Sequence, residues 1–392
     1  MQQERFRPDA AGPLQGVRVL DLSQVLVGNV LTAVLADLGA DVIKIEPPRG
    51  DPLRLWMDGG QPLHWKLYAR NKRSLVLDLK QPGPREVLSR LIGTAHILVE
   101  NFRPGVLDRL GFPASRLFEL KPSLVVARIS GWGQTGPYRD RPGFGTMVEA
   151  ASGFAHKNGF PDGPPVLPNL GLADNIAGLY GATAVMVALR EVEVKGGQGQ
   201  EIDLSLLEPM LSVLGPDAAA AKVTGNAPAR VGNRSSTAAP RNLYLSKDGK
   251  YLALSASTQD MTLRLFRAMG REELIDDPRF ASNSARLVHI EALDAIIGEF
   301  MGQRTLAENL AFFEAAEVTV GPVQDAFQIM ADPHVQARGS LVELPDADAG
   351  SLPMHPVVPR LSRTPGALRF AAPALNQHEA EILAELGLRA KD

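Results

Sequence analysis

Cysteine is absent from all 392 residues, which excludes disulfides, thiolate metal sites and a thiol nucleophile together. Long apolar runs are absent too. No stretch reaches the roughly 18 to 20 uninterrupted apolar residues that a membrane helix needs. The opening segment MQQERFRPDAAGPLQG is polar, without the apolar core of a secretory leader. A cytoplasmic protein without a membrane partner is therefore expected. Charge of one sign is also missing: 41 Lys and Arg are interleaved with 44 Asp and Glu, for a net charge of -3. That balance offers no electrostatic footprint for nucleic acid, so small-molecule partners are expected. No internal repeat is visible.

Several catalytic signatures are missing as well. The first strand, turn, helix and strand invite a dinucleotide reading, with Glu46 placed to meet a ribose hydroxyl. Where G-x-G-x-x-G belongs, however, the sequence has LSQVLVGNVLT with the single glycine Gly28, which argues against NAD. The seven histidines, among them His64, His96 and His156, show no H-E-x-x-H or paired spacing and lie in different segments, so no metal is expected. Ser130 and Gly131 do not form the G-x-S-x-G elbow of serine hydrolases.

What is present is a turn-rich globular composition. Hydrophobic residues make up 45%, and 37 Gly and 30 Pro are spread along the chain. Short Val/Ile/Leu runs at 17–22, 41–46, 74–79, 96–101 and 124–130 alternate with helix-like segments, and Gly39 stands where it would end the first helix. Near-continuous rather than alternating runs suit strands covered on both faces. The fold class is α/β, with a Rossmann-like large domain around a mostly parallel sheet and a smaller α+β domain. We expect the large domain over 1–222, a linker over 223–241, the small domain over 242–330 with a hairpin turning at Asp248 and Gly249, and a return of 331–392 to the large domain. At 392 residues the chain exceeds what one core usually supports.

Asp174 stands at the head of a periodic helix whose apolar positions include Ile176, Leu179, Tyr180, Val187 and Ala188. Two readings stay open. A carboxylate there is a helix N-cap stabilised by the macrodipole; an ionised carboxylate is equally a nucleophile toward a thioester. The cations Lys44, Arg49, Arg54, Lys72, Arg73, Lys80, Arg103 and Arg109 recur near the ends of the early strands, as a solvated face or as a site for a polyphosphate ligand. The irregular Gly/Pro-rich loop GWGQTGPYRDRPGFG (131–145) is long enough to help build a site.

The segments LQGVRVLDLSQVLVG (14–28), LADLGADVIKIEPPRGD (35–51), NKRSLVLDLK (71–80), VENFRPGVLDRLG (99–111), SGWGQTGPYRDRPGF (130–144) and LADNIAGLYGATAVMVAL (172–189) resemble, in order, the class III CoA transferases of the CaiB/BaiF type, which include the carnitine and formyl-CoA enzymes. The likeness continues through 196–208, 321–334 and 376–387. It implies an enzyme that moves coenzyme A from an acyl-CoA to a small carboxylic acid, built as an interlocked homodimer. It implies that Asp174, in the A-D-x-x-x-G motif, forms a mixed anhydride and then an aspartyl-CoA thioester. It further implies acyl-CoA contacts at Gln24, Val25, Leu26, Leu77, Lys80, Asn101, Phe102, Val106, Arg109 and Ser130. An arginine that follows K-I-E in the family is Pro47 here, leaving Arg49 or Arg54 for the adenine side. The formyl-CoA enzymes' active-site glutamine is Leu26, which disfavours oxalate as acceptor. Pocket residues are expected from 131–147 and from 232–240, where Asn233 and Arg234 could meet a second carboxylate.

Two alternatives remain. The related 2-methylacyl-CoA racemases need an acid and a base beside the acyl α-carbon, yet their G-H-D-I-N-Y stretch reads PGFGTMVEAASG (142–153) here, without the histidine. A non-catalytic acyl-CoA binding protein is the other.

Overall fold

The five apolar runs, joined by residues 201–205, become one sheet in the computed structural model, which describes residues 1–389. Its strands are β1 (Arg18–Asp21), β2 (Asp41–Glu46), β3 (Lys72–Val76), β4 (Ile97–Glu100), β5 (Val125–Ser130) and β6 (Glu201–Ser205). They lie in the order β3-β2-β1-β4-β5-β6, and every pairing is parallel. The order reverses between β1 and β4. In a doubly wound sheet, the crevice beyond the carboxyl ends of those two strands is where ligands bind.

Covering both faces explains the continuous apolar runs. Val19, Val42, Val99 and Ala127 point into one core, beneath the helices Val27–Asp37 and Leu172–Lys195. Their neighbours Leu20, Ile43, Leu98 and Val126 point into the other, beneath Pro82–Thr94, Ala114–Leu120 and Glu379–Glu385. Each fully buried Val, Leu or Ile side chain among them contributes about 1.5–3 kcal/mol. β3 begins two residues earlier than the apolar run suggests, because Lys72 and Arg73 pair with Val42 and Ile43.

The chain's last segment closes the β3 edge. Asn376 Oδ1 accepts the Val76 amide at 2.7 Å, and His378 Nδ1 accepts that of Ser74 at 3.1 Å. Side chains thus stand in for the missing neighbouring strand and leave no open edge there.

Two compact units divide the chain. One contains Met1–Phe154, Leu167–Asp217 and the chain from Pro333 onward; the other contains Ala155–Val166 and Ala218–Asp332. Residues 155–166 group with the second unit, whereas the composition suggests an unbroken first unit up to 222. Hydrogen bonds tie the two stretches together: the Arg230 guanidinium donates to the carbonyls of His156 and Phe160, at 3.0 and 3.3 Å, and the Gly232 amide donates to the Gly159 carbonyl at 2.9 Å. The second unit carries an antiparallel sheet of Arg241–Leu245, Tyr251–Ser255 and Val320–Pro322. Its hairpin turns through Asp248 and Gly249, and its core includes Phe266, Phe280 and Phe313.

The helix Leu172–Lys195 is long and apolar enough to cross a membrane by length and composition alone. Its buried positions nonetheless mark it as a core helix of the sheet. They are small or short: Ala173, Ala177, Gly178, Gly181, Ala182, Val185, Ala188 and Leu189. This corrects the expected apolar face, since Leu179, Tyr180 and Val187 are exposed. Small residues allow close approach to helix Val27–Asp37. A Cβ on Gly178 would lie 2.7 Å from Val30 Cγ1 and 3.0 Å from the Val27 carbonyl oxygen. Overpacking of this kind costs about 1–3 kcal/mol. Gly178→Ala is therefore expected to lower the unfolding free energy by that amount in a urea titration; an unchanged midpoint would contradict the close contact.

Candidate active site

Residues just past the carboxyl ends of β1 and β4 lock together. The Gln24 amide donates to Asn101 Oδ1 at 2.8 Å, and Asn101 Nδ2 donates back to the Gln24 carbonyl at 2.7 Å. Beyond this pair opens a cavity of about 970 Å³, lined by Gln24–Val27, Asn101–Pro104, Ser130–Trp132, parts of 139–149 and of 167–174, and Leu206. Asp174 is at its wall.

Asp174 is half-buried in the first turn of helix Leu172–Lys195. It is not the N-cap expected from the sequence: Gly171 holds that position and has no side chain with which to cap the helix. Nor does the surrounding structure favour its charge. Burial, followed by the like charge of Glu149, raises its pKa to about 6, against which the amides of Asp174 itself and of Val27 pull only in part. Desolvation thus outweighs the two helix N-termini that meet here. The carboxylate remains mostly ionised near pH 7.5, yet is more basic than a solvated aspartate.

Its orientation is fixed on three sides. Gly145 begins the helix Gly145–Ala151 against it, and a Cβ there would overlap Asp174 Oδ2. Glu149, on the same short helix and 2% exposed, accepts the Ala173 amide at 3.0 Å. Val27 lines the cavity on the third side, and its backbone amide pulls the Asp174 pKa down. Leu26 fills the space beside Gly171, where a Cβ would come within 2.5 Å of its Cδ2.

The turn that presents Leu26 and Val27 is strained. Val25 has φ = +66°, a left-handed conformation that a β-branched residue rarely adopts and that costs about 1–3 kcal/mol. Two buried side chains hold it: its amide donates to Asp51 Oδ1 at 2.9 Å, and its carbonyl accepts from Asn29 Nδ2 at 2.7 Å.

Four cations of the early strands are committed to internal partners. Lys44 and Lys72 are wholly buried around Asp21, at 3.2 Å each, and Lys44 also meets Asp51 at 3.0 Å. Burial disfavours the Asp21 carboxylate, but the two ammonium groups and the Ser23 and Thr32 hydroxyls win and hold it at about 2. Burial pushes Lys72 down to about 8. Arg54 grips Glu46 through two bonds of 2.7 and 2.8 Å, with its guanidinium 3.7 Å from the Trp65 ring centre. Arg73 pairs with Asp41, Glu381 and Glu385. These four are structural rather than ligand cations, and Glu46 braces Arg54, Ser74 and the Asp51 amide instead of awaiting a ribose. Arg103, Arg139 and Arg141 line the cavity.

A second hollow of about 230 Å³ adjoins Gln24 and Phe102, and is lined also by Leu77, Lys80 and Val106. Of the residues singled out from the sequence, Gln24, Val25, Leu26, Asn101, Phe102, Ser130 and Asp174 line the cavity, and Leu77, Lys80 and Val106 line the smaller hollow. Arg49 and Arg109 are exposed and line neither. Ser130 Oγ accepts the Gly133 amide at 2.9 Å, holding the loop that follows β5. Arg234 belongs to the second unit, where it pairs with Asp294 at 2.7 Å. Sequence reasoning did not find Glu149, Gly145 or the Val27 amide. Glu149 lies in MVEAAS, where nothing local separates a buried acid from a solvated one.

Comparison with known proteins agrees with this geometry. The model of "CoA-transferase family III" matches residues 14–379. Among characterised proteins, the chain is 39% identical to the succinyl-CoA–D-citramalate CoA-transferase of Chloroflexus aurantiacus, over 95% of this chain and 94% of that one. It is 35% identical to the succinate–glutarate CoA-transferase of Agrobacterium fabrum, over 97% of both. Among solved structures, a CaiB/BaiF family protein from Brucella suis superposes with a TM-score of 0.83 at 33% identity, over 96% of this chain and all of that one. The chain belongs to CoA-transferase family III and is a CoA-transferase.

Proposed function

We propose that this enzyme transfers CoA from a short acyl-CoA to a dicarboxylic acid through covalent intermediates on Asp174. The observation that carries the reading is the Asp174 carboxylate itself: raised in basicity, walled by Gly145, Glu149 and the Val27 amide, and facing the cavity at the sheet's switch point. A carboxylate of raised basicity that is still ionised is a better nucleophile than a solvated one.

In the first step an Asp174 oxygen attacks the thioester carbonyl and the C–S bond breaks, giving a mixed anhydride and CoA thiolate. The thiolate attacks the aspartyl carbonyl and expels the donor acid, leaving an aspartyl-CoA thioester. The acceptor carboxylate attacks that thioester and releases the thiolate again, forming a second anhydride. The thiolate then takes the acceptor's acyl group and Asp174 returns as a carboxylate. Each step passes through an oxyanion at the aspartyl or the acyl carbon, and the Val27 amide supplies a donor where charge develops. A half-buried site limits loss of the activated acyl group to water.

The hollow lined by Leu77, Lys80, Phe102 and Val106 suits the adenine end of CoA, with Gln24, Val25 and Asn101 along the path to Asp174. For the acid, Arg103, Arg139 and Arg141 offer partners to a second carboxylate, which fits relatives named for D-citramalate and glutarate. Leu26 beside Gly171 favours an acceptor with a carbon chain over oxalate. A cytosolic homodimer that uses neither metal nor NAD completes the reading; the exposed Leu179, Tyr180, Val187 and Val194 on the Asp174 helix support a second copy covering that face.

Purified protein supplied with succinyl-CoA and a panel of citramalate, malate, itaconate, mesaconate, glutarate and carnitine is expected to exchange CoA with the dicarboxylates. Solvent deuterium entering the acyl α-carbon without an acceptor would mark a racemase instead, and binding without turnover a non-catalytic protein. Asp174→Asn is expected to lower kcat by at least a thousandfold. Its effect on stability has the opposite sign. The folded pKa of about 6 lies above the ordinary 3.8, so the native state's affinity for the proton is lost as pH rises through 6, and the ionised form costs about 2–3 kcal/mol at pH 7.5. The variant should therefore melt higher than the wild type at pH 7.5, with the gap closing toward pH 4.

The pH profile gives a separate check. Because the ionised carboxylate reacts, kcat/KM should fall as pH drops through about 6. Glu149→Gln keeps an acceptor for the Ala173 amide but removes the like charge, so the acid limb should move to lower pH. A limb that stays put or moves up would remove Glu149 from the account.

A further inference from the structure

The turn between β1 and helix Val27–Asp37 carries a strain that the sheet does not require. Val25 is left-handed at φ = +66° with no glycine in its place. The helix that follows has Leu26 as its N-cap, with no capping bond from that side chain, and its first residue, Val27, lines the cavity together with Asp174 and presents an amide that favours the carboxylate's charge. If Val25 relaxed to a negative φ, the peptide planes on either side would rotate and carry that amide away.

The bonds that prevent this come from two buried side chains. Asn29 is 0% exposed and Asp51 1%. Asn29 Nδ2 bridges the Val25 carbonyl at 2.7 Å and Asp51 Oδ2 at 2.8 Å, while Asp51 Oδ1 takes the Val25 amide at 2.9 Å. Both groups of one strained residue are thereby held by a single connected pair. The pair is itself fixed from below: Lys44 Nζ lies 3.0 Å from Asp51 Oδ2, and Lys72 Nζ donates to Asn29 Oδ1 at 2.9 Å. Asp51 also begins the short 3-10 turn Pro52–Leu55 by accepting the Leu53 amide at 2.9 Å. That cap accounts for one of its bonds but not for the Asn29 bond to the Val25 carbonyl.

We propose that Asn29 and Asp51 are positioning residues of the transfer reaction, holding Val25 left-handed so that the Val27 amide faces Asp174. They touch neither the reacting atoms nor the cavity; their effect passes through the backbone of Val25–Val27. The inference rests on Asp174 as the acyl carrier.

Asn29→Ala is expected to lower kcat at least tenfold per folded molecule, with the folded fraction taken from circular dichroism, while the donor KM changes less than threefold. Glycine adopts the left-handed region freely, so adding Val25→Gly to Asn29→Ala should restore kcat at least threefold. Should Asn29→Ala not fold, the isosteric Asp51→Asn provides the same readout, with an expected three- to tenfold loss in kcat. A purely structural pair would lower the melting temperature and leave kcat per folded molecule unchanged. That result, or a loss that Val25→Gly does not reverse, overturns the proposal. Asp174→Asn measured in parallel separates the two ideas: an active Asp174→Asn removes the carrier, whereas an inactive one beside a fully active Asn29→Ala removes only the positioning.

Discussion

The packing of helix Leu172–Lys195 against helix Val27–Asp37 is the constraint on which the site depends. Gly178 and Gly181 leave room for Val30 and Leu31, so the two axes approach closely and the two first turns end up side by side. That proximity sets Asp174 and Val27 on the wall of one cavity and makes Leu26 a neighbour of Gly171. Two helix N-termini aimed at one carboxylate would ordinarily keep it strongly acidic. Burial and Glu149 reverse the outcome, so the fold spends its helix amides on a group that it has also made more basic. Sites where local electrostatics oppose one another in this way are where perturbed carboxylates do chemistry.

Beneath the site lies a second economy of charge. Asp21, Lys44, Lys72 and Asp51 are nearly or wholly inaccessible to water, and each would be costly alone. Together with Ser23, Asn29 and Thr32 they satisfy one another and tie β1, β2 and β3 to the turn after β1. Lys44, Lys72, Arg54 and Arg73 therefore serve the scaffold, and the arginines that face the cavity come from the loops after β4 and β5.

Much of the sheet was legible because parallel strands buried on both faces must be continuous apolar runs; DVIKIE and LVVARIS became β2 and β5 within a residue. The helix before Gly39 was legible for a similar reason, with Gly39 at φ = +107° closing it. The buried side of the Asp174 helix was not, because its packing surface consists of glycine and alanine, which carry little hydrophobic signal, while its larger apolar residues face outward. The committed lysines were partly legible: Lys44 inside VIKIE is a charge within a run otherwise read as buried, and such a charge needs a buried partner. Arg54 gave no such hint, since its pairing depends on Glu46, Trp65 and Pro373 meeting in space. Asp174 could be placed at a helix start from periodicity, but its chemistry came from the family likeness and its basicity only from the depth of its pocket.

The most direct test of the account is chemical capture of the carrier. Enzyme mixed with succinyl-CoA and quenched with hydroxylamine should yield a hydroxamate on the peptide that contains Asp174, formed only when the acyl-CoA is present and absent from Asp174→Asn. A hydroxamate on another carboxylate, or none while CoA exchange proceeds at full rate, would contradict covalent transfer through Asp174.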